Sequence, residues 1–444
     1  MATAEDKTYV GFTFDKDIEG TVQSGNVEGD GSLVLKLYYD RNEYQINFET
    51  GSGSLVETVS GVFGGLLLKP DDPTNEGHVF EGWYKEELLE NKWDFNVDTI
   101  PASDITLFAN WIKPSPNGTL LDAAAGSDFI GVLFLKSDGN IYYSKSDKNS
   151  SWQQEVAMGL GTEGSIEVDA SDNVHVAYVT DGKIAYTKFD GNSWSEKTYI
   201  ESLNVGGVGA CSKVDLAVDG NLSPHITYTD SRGTSDDYSY PDIMYAKLSE
   251  GAFSRTVIFK GYRDYSSSGS WGADYFSGGS SIAVNENGDY FIIAHRQNIW
   301  RWFAGTDNTY YVMIHSNLGT GSISNYGTNI YATYDLTYSN GKFVALYKDS
   351  TFKTSEIAVS GGTAGFVNTT GIGGFSVTSV SNNGVSTVVG GKSTEGTLLT
   401  HLDGLSQDHM INVKDNKVSV VYLDGEYYGV YRDNESSELK IKKL

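Results

Sequence analysis

The chain has 444 residues, 39% of them hydrophobic and 13% aromatic, which is material for more than one packed core. Its 58 acidic against 32 basic residues leave a net charge of −26 that repels nucleic acid and anionic lipid. A single cysteine, Cys211, excludes an intrachain disulfide, and no apolar run approaches the ~20 residues needed to cross a bilayer as a helix. The opening Met1-Ala-Thr-Ala-Glu5 has neither a basic region nor an apolar core of a secretion signal. Because a strand-like segment follows at once, an export signal is expected to have been removed ahead of it.

Residues 1–43 read as short strands: Tyr9-Val-Gly-Phe-Thr-Phe14, Gly20-Thr-Val-Gln-Ser-Gly25 and the run from Asp30 to Asn42. Residues 44–112 start on the alternating Tyr44-Gln-Ile-Asn-Phe48 and continue through Gly82-Trp-Tyr84, Trp93-Asp-Phe95 and Thr106-Leu-Phe-Ala-Asn-Trp111. Pro70 and Pro73 mark a turn, since each removes a ladder donor. In a block this small, Trp83, Tyr84, Trp93, Phe95 and Trp111 are expected to form the core rather than a ligand platform.

This second block resembles the Listeria–Bacteroides repeat, also called the internalin B-repeat. The residues that carry the resemblance are Tyr44-Gln-Ile-Asn-Phe-Glu-Thr-Gly51, Lys69-Pro-Asp-Asp-Pro-Thr74, Glu76-Gly-His-Val-Phe-Glu-Gly-Trp-Tyr84, Trp93-Asp-Phe95 and the closing Leu107-Phe-Ala-Asn-Trp111. Leu35-Lys-Leu-Tyr-Tyr-Asp-Arg-Asn42 is similar to the tail of a mucin-binding-like segment, so residues 1–43 are expected to be part of one. The resemblance implies a small β-grasp-like module strung along a secreted or wall-attached bacterial protein. It implies an extracellular location, with the anchor lying outside this segment. Lys113-Pro-Ser-Pro-Asn-Gly118 then reads as a stiffened linker over 113–118.

The propeller is expected to begin near Thr119, and from about Ser165 onward a cadence recurs: a short alternating strand, an Asp/Asn turn, a second strand closing near Tyr, then a third strand. Ser165-Ile-Glu-Val-Asp169 leads to Val174-His-Val-Ala-Tyr178, and Val214-Asp-Leu-Ala-Val-Asp219 to His225-Ile-Thr-Tyr-Thr-Asp230. The last copy runs from Met410 through a turn at Asp415 to Val420-Val-Tyr-Leu-Asp424, with Tyr427-Tyr-Gly-Val-Tyr431 as its third strand. Second strands are marked at Phe134, Tyr178, Tyr228, Ala294, Tyr347, Gly390 and Tyr422. Units of roughly 40–50 residues with four strands are the size of propeller blades. The expected class is all-β, with a seven-bladed β-propeller over 119–444. The short interval from Gly390 to Tyr422 suggests a sixth blade without its outer strand and leaves six or eight blades open.

Asp147-Lys-Asn-Ser-Ser-Trp152 and Asp190-Gly-Asn-Ser-Trp194 resemble degenerate Asp-boxes of bacterial propellers, which implies Asp-capped turns with Trp packed between blades. Two long insertions, after Tyr228 and after Lys260, should share one rim, where loops on a rigid scaffold build binding sites. Trp271, Tyr262, Tyr265, Tyr275, Tyr238 and Tyr240 are candidate platforms for the apolar face of a sugar. Asp230, Arg232, His295 and Arg296 are candidate polar contacts. Asp230, Asp236, Asp237 and Asp242 would suit calcium by their hard oxygens, although their order is not that of an EF-hand loop. No other cofactor is expected.

The expected function is non-enzymatic recognition of a glycan or a host cell-surface protein by a monomer, without membrane insertion. One alternative is a carbohydrate-active enzyme such as a polysaccharide lyase built on His295, Tyr275 and Arg296. The other is a purely structural or protein-binding module. His175 and His225 begin second strands at the opposite end and are expected to be ordinary strand residues.

Overall fold

The computed structural model describes residues 1–444 except 204–209, 232–240, 250, 266–270, 277–278, 303–304, 319–320, 325–331, 340, 349–350, 373–374, 383–386, 394–396 and 403–404. Among the described residues every regular element is a strand. The chain divides into two compact units, Met1–Pro114 and Ser115–Leu444.

In the first unit, residues 1–43 contribute two small antiparallel pairs, Ala2–Thr3 with Ser24–Gly25 and Phe12–Phe14 with Tyr39–Arg41. The repeat module is a four-stranded sheet in the order Val59–Val62, Glu43–Glu49, Ile105–Ile112, Val79–Tyr84. Its two central strands run parallel and the outer ones antiparallel, the strand arrangement of a β-grasp. Alternation in Glu43–Glu49 sends Ile46 and Phe48 inward onto Leu67, Trp83, Trp93, Ile100 and Leu107. Trp83 is 1% exposed, and the Trp111 indole N–H is tied to the Thr50 carbonyl at 2.9 Å. Trp83 and Trp93 therefore lie in the core, Tyr84 is buried and Phe95 packs against the core, whereas Trp111 is only half-buried.

The second unit is a succession of antiparallel sheets that follow chain order, except that the fourth branches at its strand Tyr290–Trp302. The first consists of Thr119–Ala125, Ile130–Leu135, Asn140–Ser146 and Val156–Leu160; the second of Gly164–Val168, Val174–Thr180, Lys183–Phe189 and Thr198–Ile200. The third begins with Ala210–Val218 and Pro224–Ser231, the fourth with Ser280–Val284 and Tyr290–Trp302, and the fifth with Ala332–Ser339 and Lys342–Lys348. The sixth begins with Phe375–Asn382. The first strand of each sheet packs on the first strand of the next, and Leu405–Leu423 packs on both Phe375–Asn382 and Thr119–Ala125. Apolar layers fill the spaces between consecutive sheets. One of them joins Leu120, Val132, Phe134 and Trp152 of the first sheet to Val421, Tyr428 and Val430 near the C-terminus.

Three features depart from the sequence expectation. The sixth sheet has an outer strand, because Leu405–Leu423 serves two sheets: its first part pairs with Thr397–Leu402 and its second with Glu426–Asp433. The polar run around Asp415, expected to turn the chain, instead forms a register break between Val413 and Val418 within one continuous strand. Tyr422 consequently lies on the first strand of the last sheet, and Tyr427-Tyr-Gly-Val-Tyr431 on its second. The expected linker also ends early. Leu439 N–H donates to the Pro116 carbonyl at 2.7 Å, and Asn117 bridges Glu438, so residues 116–117 flank the last strand.

The sheets meet closely at Gly220, where a Cβ would lie 2.3 Å from the Glu286 carbonyl oxygen. Backbone cannot yield as a side-chain tip does. Gly220→Ala is therefore expected to cost on the order of 2 kcal/mol, read as a lower urea midpoint with an unchanged m-value.

Candidate functional site

Both insertions leave the body of the second unit at one place. Asp230, near the end of Pro224–Ser231, is the register partner of Asp242 at the start of Asp242–Ser249. The first insertion lies between them. The Asp242 carboxylate accepts the Gly261 N–H at 2.8 Å, at the point where the second insertion begins. Asp230 accepts the Ser202 hydroxyl and, at 2.8 Å, the Leu203 N–H. At 2% and 5% exposure these two carboxylates face away from solvent, with Asp242 tying the start of the second insertion and Asp230 the segment at 202–203.

The second insertion, expected to be a loop, contributes two paired strands. Tyr262–Tyr265 pairs with Trp271–Tyr275, and the latter pairs with the far half of Tyr290–Trp302. Tyr290–Trp302 is long because it does two tasks. Residues 290–294 pair with the first strand of the fourth sheet, while residues 297–301 carry the hairpin. Tyr262, Tyr265, Trp271 and Tyr275 thus stand on a ribbon that continues the sheet. At its branch point His295 is buried and stacked on Tyr310, with centroids 5.7 Å apart and planes 15° apart. Arg296 lies over the Tyr311 ring at 5.3 Å. Arg232, Asp236, Asp237, Tyr238 and Tyr240 lie outside the described residues. Among the described residues, no three His, Cys, Asp or Glu side chains come together to hold a metal ion.

The opposite end holds buried Asp–His–Tyr relays. His175 Nε2 lies 3.0 Å from Asp169 Oδ2 and Nδ1 2.8 Å from the Tyr186 hydroxyl; His225, Asp219 and Tyr245 repeat the arrangement, with Lys247 added on Asp219. Burial holds both imidazoles below their usual pKa, and the bond to Asp opposes it only in part. Burial alone would raise Asp219, but bonds from the Ser223 N–H, His225 and Lys247 outweigh it and hold the carboxyl at about 2. With both ring nitrogens engaged and the rings 0% and 1% exposed, neither histidine can act as a base on a substrate. The Asp-box-like turns are likewise local. Asp147 caps the Asn149 and Ser151 N–H groups, Asp190 caps those of Asn192 and Ser193, and Trp152 and Trp194 pack into the layers between sheets.

A feature missed in the sequence runs along the packed first strands. Asp122, Ser165, Asp215, Ser281 and Asp335 occupy equivalent positions on the first five, opposite Leu133, Ala177, Thr227, Ile293 and Leu346 of the second strands. Ser379 and Ser419 continue the series opposite Gly390 and Val430. Each Asp reaches the next sheet: Asp122 accepts the Ile166 N–H, Asp215 that of Ile282 and Asp335 that of Val380, at 2.9–3.1 Å. The alternation of Asp and Ser was the available signal, hidden because its period is two units rather than one. These carboxyls and Glu167 line a cavity of about 180 Å³ to which every one of the first strands contributes. Burial, then the neighbouring Asp122, pushes Glu167 up to about 8. Burial likewise takes Asp335 to about 7 against the pull of Lys417, and raises Asp215.

Residues 44–110 match the family model of the Listeria-Bacteroides repeat domain. A protein of Evansella cellulosilytica named as a Gly-rich membrane protein is 40% identical over 80 residues, which is 18% of this chain and 9% of that protein. Internalin H of Listeria monocytogenes is 32% identical over 110 residues, 25% of this chain and 19% of its own length. The chain thus spans less than a fifth of these relatives. Among solved structures, the BP39L lectin from Burkholderia pseudomallei aligns over 74% of this chain and 96% of its own at 14% identity and a TM-score of 0.46. Trypanosoma rangeli sialidase aligns over 74% of this chain and 59% of its own at 11% identity and a TM-score of 0.37.

Proposed function

We propose that the second unit is a seven-bladed β-propeller, carried by the repeat module at a bacterial cell surface, whose insertion-bearing end binds an extracellular glycan. The blade count is supported by the succession of packed first strands in which the last meets the first. The surface location is supported by the repeat and by the names of the relatives that share it. The binding reading rests on one observation above the rest: both insertions are rooted at the Asp230–Asp242 pair, and one of them extends a sheet as an aromatic-bearing ribbon. In this reading Trp271, Tyr262, Tyr265, Tyr275, Tyr238 and Tyr240 supply ring faces, with Arg232 and Arg296 bonding hydroxyls. Asp230 and Asp242 hold the loops in place, and calcium on Asp236 and Asp237 remains part of the proposal.

A glycan panel probed with the whole chain, with calcium and with chelator, tests it. Saturable binding that falls roughly tenfold in Trp271→Ala, with an unchanged melting temperature, is the expected outcome. Equal binding by wild type and Trp271→Ala would remove the ribbon from the site. Cleavage of a uronate polymer with new ultraviolet absorbance would turn the His295–Arg296 corner into a lyase site, and silence throughout would point to a protein partner.

A further inference from the structure

The seam between the first and last sheets holds a second pocket, separate from the ribbon. Here residues 116–117 bridge only Glu438 and Leu439, where the other sheets place a longer outer strand. The shortfall leaves a cavity of about 440 Å³ lined by Asn117, Thr119, Leu135, Lys136, Ser137 and Arg432. It opens where Thr119–Ala125 begins and Ile130–Leu135 ends, the same end of the sheets from which the insertions leave.

In a chain of net charge −26, this pocket has two cations and no acid among its lining residues. Arg432 is held in one orientation: Nε donates to the Ser437 carbonyl at 3.0 Å, Nη2 to Asn117 Oδ1 at 3.3 Å, and Nη1 stands 3.5 Å from Asp415 Oδ2. Two of its five N–H groups are used in those hydrogen bonds. Lys136, which also lines the pocket, pairs with Glu155 and sits over the Tyr142 ring at 4.5 Å. A guanidinium fixed in this way favours a planar two-oxygen anion over a point charge. The rest of the lining consists of hydroxyls, an amide and one leucine, which match the hydroxyls of a sugar ring better than the side chains of a peptide.

We propose that this seam pocket binds a carboxylate-bearing saccharide, with Arg432 and Lys136 on the carboxylate and Asn117, Thr119 and Ser137 on the ring hydroxyls. The test is calorimetric titration of the whole chain with trigalacturonate, with its methyl ester as the neutral counterpart, and with an oligo-aspartate peptide. Trigalacturonate should bind saturably and more weakly as salt rises, and the ester should not bind. Lys136→Gln should weaken binding at least tenfold with an unchanged melting temperature. Arg432→Lys, which keeps the charge and loses the fork, should weaken it as well, and Trp271→Ala should leave it intact. Absence of trigalacturonate binding, equal binding of the ester, or wild-type affinity in Lys136→Gln would each overturn the proposal. Preferential binding of the peptide would overturn the saccharide assignment. Loss of binding in Trp271→Ala with retention in Lys136→Gln would move the acidic saccharide to the ribbon, so the two readings fail separately.

Discussion

Glu167→Gln is expected to raise stability at pH 8.5 by ~2–4 kcal/mol and at pH 5 by about 1 kcal/mol at most, flattening the pH profile of unfolding. Glu167 lines the cavity with Asp122, Asp215 and Asp335, and it accepts a long hydrogen bond, 3.3 Å, from the adjacent Val168 N–H. Burial and those charges carry its carboxyl to about 8 in the folded state, against roughly 4.3 unfolded. A carboxyl raised on folding keeps its proton in the native state where the unfolded chain has lost it. Stability is therefore fully present below about pH 4 and is lost as pH rises through about 8. Asp335, at about 7, adds a slope of the same sign over the lower part of that window. The depressed His175 and His225 act in the opposite sense, since stability tied to a neutral buried imidazole is lost on acidification. Comparing wild type with Glu167→Gln cancels these shared contributions. Urea midpoints at pH 5, 7 and 8.5 decide the matter, and parallel profiles for the two proteins would mean that Glu167 titrates as an ordinary surface carboxyl.

The strands of the second unit were legible because each rests on local chemistry. Alternation in Val174–Thr180 and Pro224–Ser231 gives the second strands, and Asp169 and Asp219 close the turns before them by capping the N–H groups two and four residues on. The core of the repeat was legible for the same reason, since large aromatics such as Trp83 and Trp93, both buried, are what a small module has to fill its core. What stayed hidden depends on distance along the chain. The pairing of Asp122 with Ile166, of Asp215 with Ile282 and of Asp335 with Val380 joins residues 44 to 67 positions apart, and a single-unit repeat masks the Asp–Ser alternation. The ribbon was hidden because Tyr262–Tyr265 and Trp271–Tyr275 lack apolar alternation, so their pairing follows from attachment to Tyr290–Trp302. Leu405–Leu423 was misread because the Asp and Asn around position 415 mark a turn and a bulge equally well.

Asp215→Ala is expected to destabilise the second unit by ~2–4 kcal/mol at pH 5, with a smaller loss at pH 8.5. The Asp215 carboxyl joins three sheets. It accepts the Ile282 N–H at 2.9 Å and the Ser281 hydroxyl at 2.7 Å on one side, and lies 3.1 Å from the Ser165 hydroxyl on the other. Ser165 Oγ is also 3.0 Å from Asp122 Oδ2, yet a hydroxyl has one proton to give. One of those two contacts therefore needs a proton from a carboxyl, which accords with the raised pKa of Asp215. Alanine removes the acceptor and strands the Ile282 N–H between sheets. At high pH it also relieves repulsion on Glu167, which offsets part of the cost. Asp215→Asn separates the two effects: its amide oxygen still accepts the Ile282 N–H while the charge is gone, so it should remain close to wild type at pH 5 and exceed it at pH 8.5. If alanine proved as stable as asparagine at pH 5, the bond from sheet to sheet would contribute nothing. Ser419 shows what the alternation leaves over. It follows Ser379 rather than an Asp, and its buried hydroxyl has no hydrogen-bond partner among the described residues. Asp122 with Ser165, Asp215 with Ser281 and Asp335 with Ser379 make three Asp–Ser pairs, and Ser419 follows them as the member without an Asp.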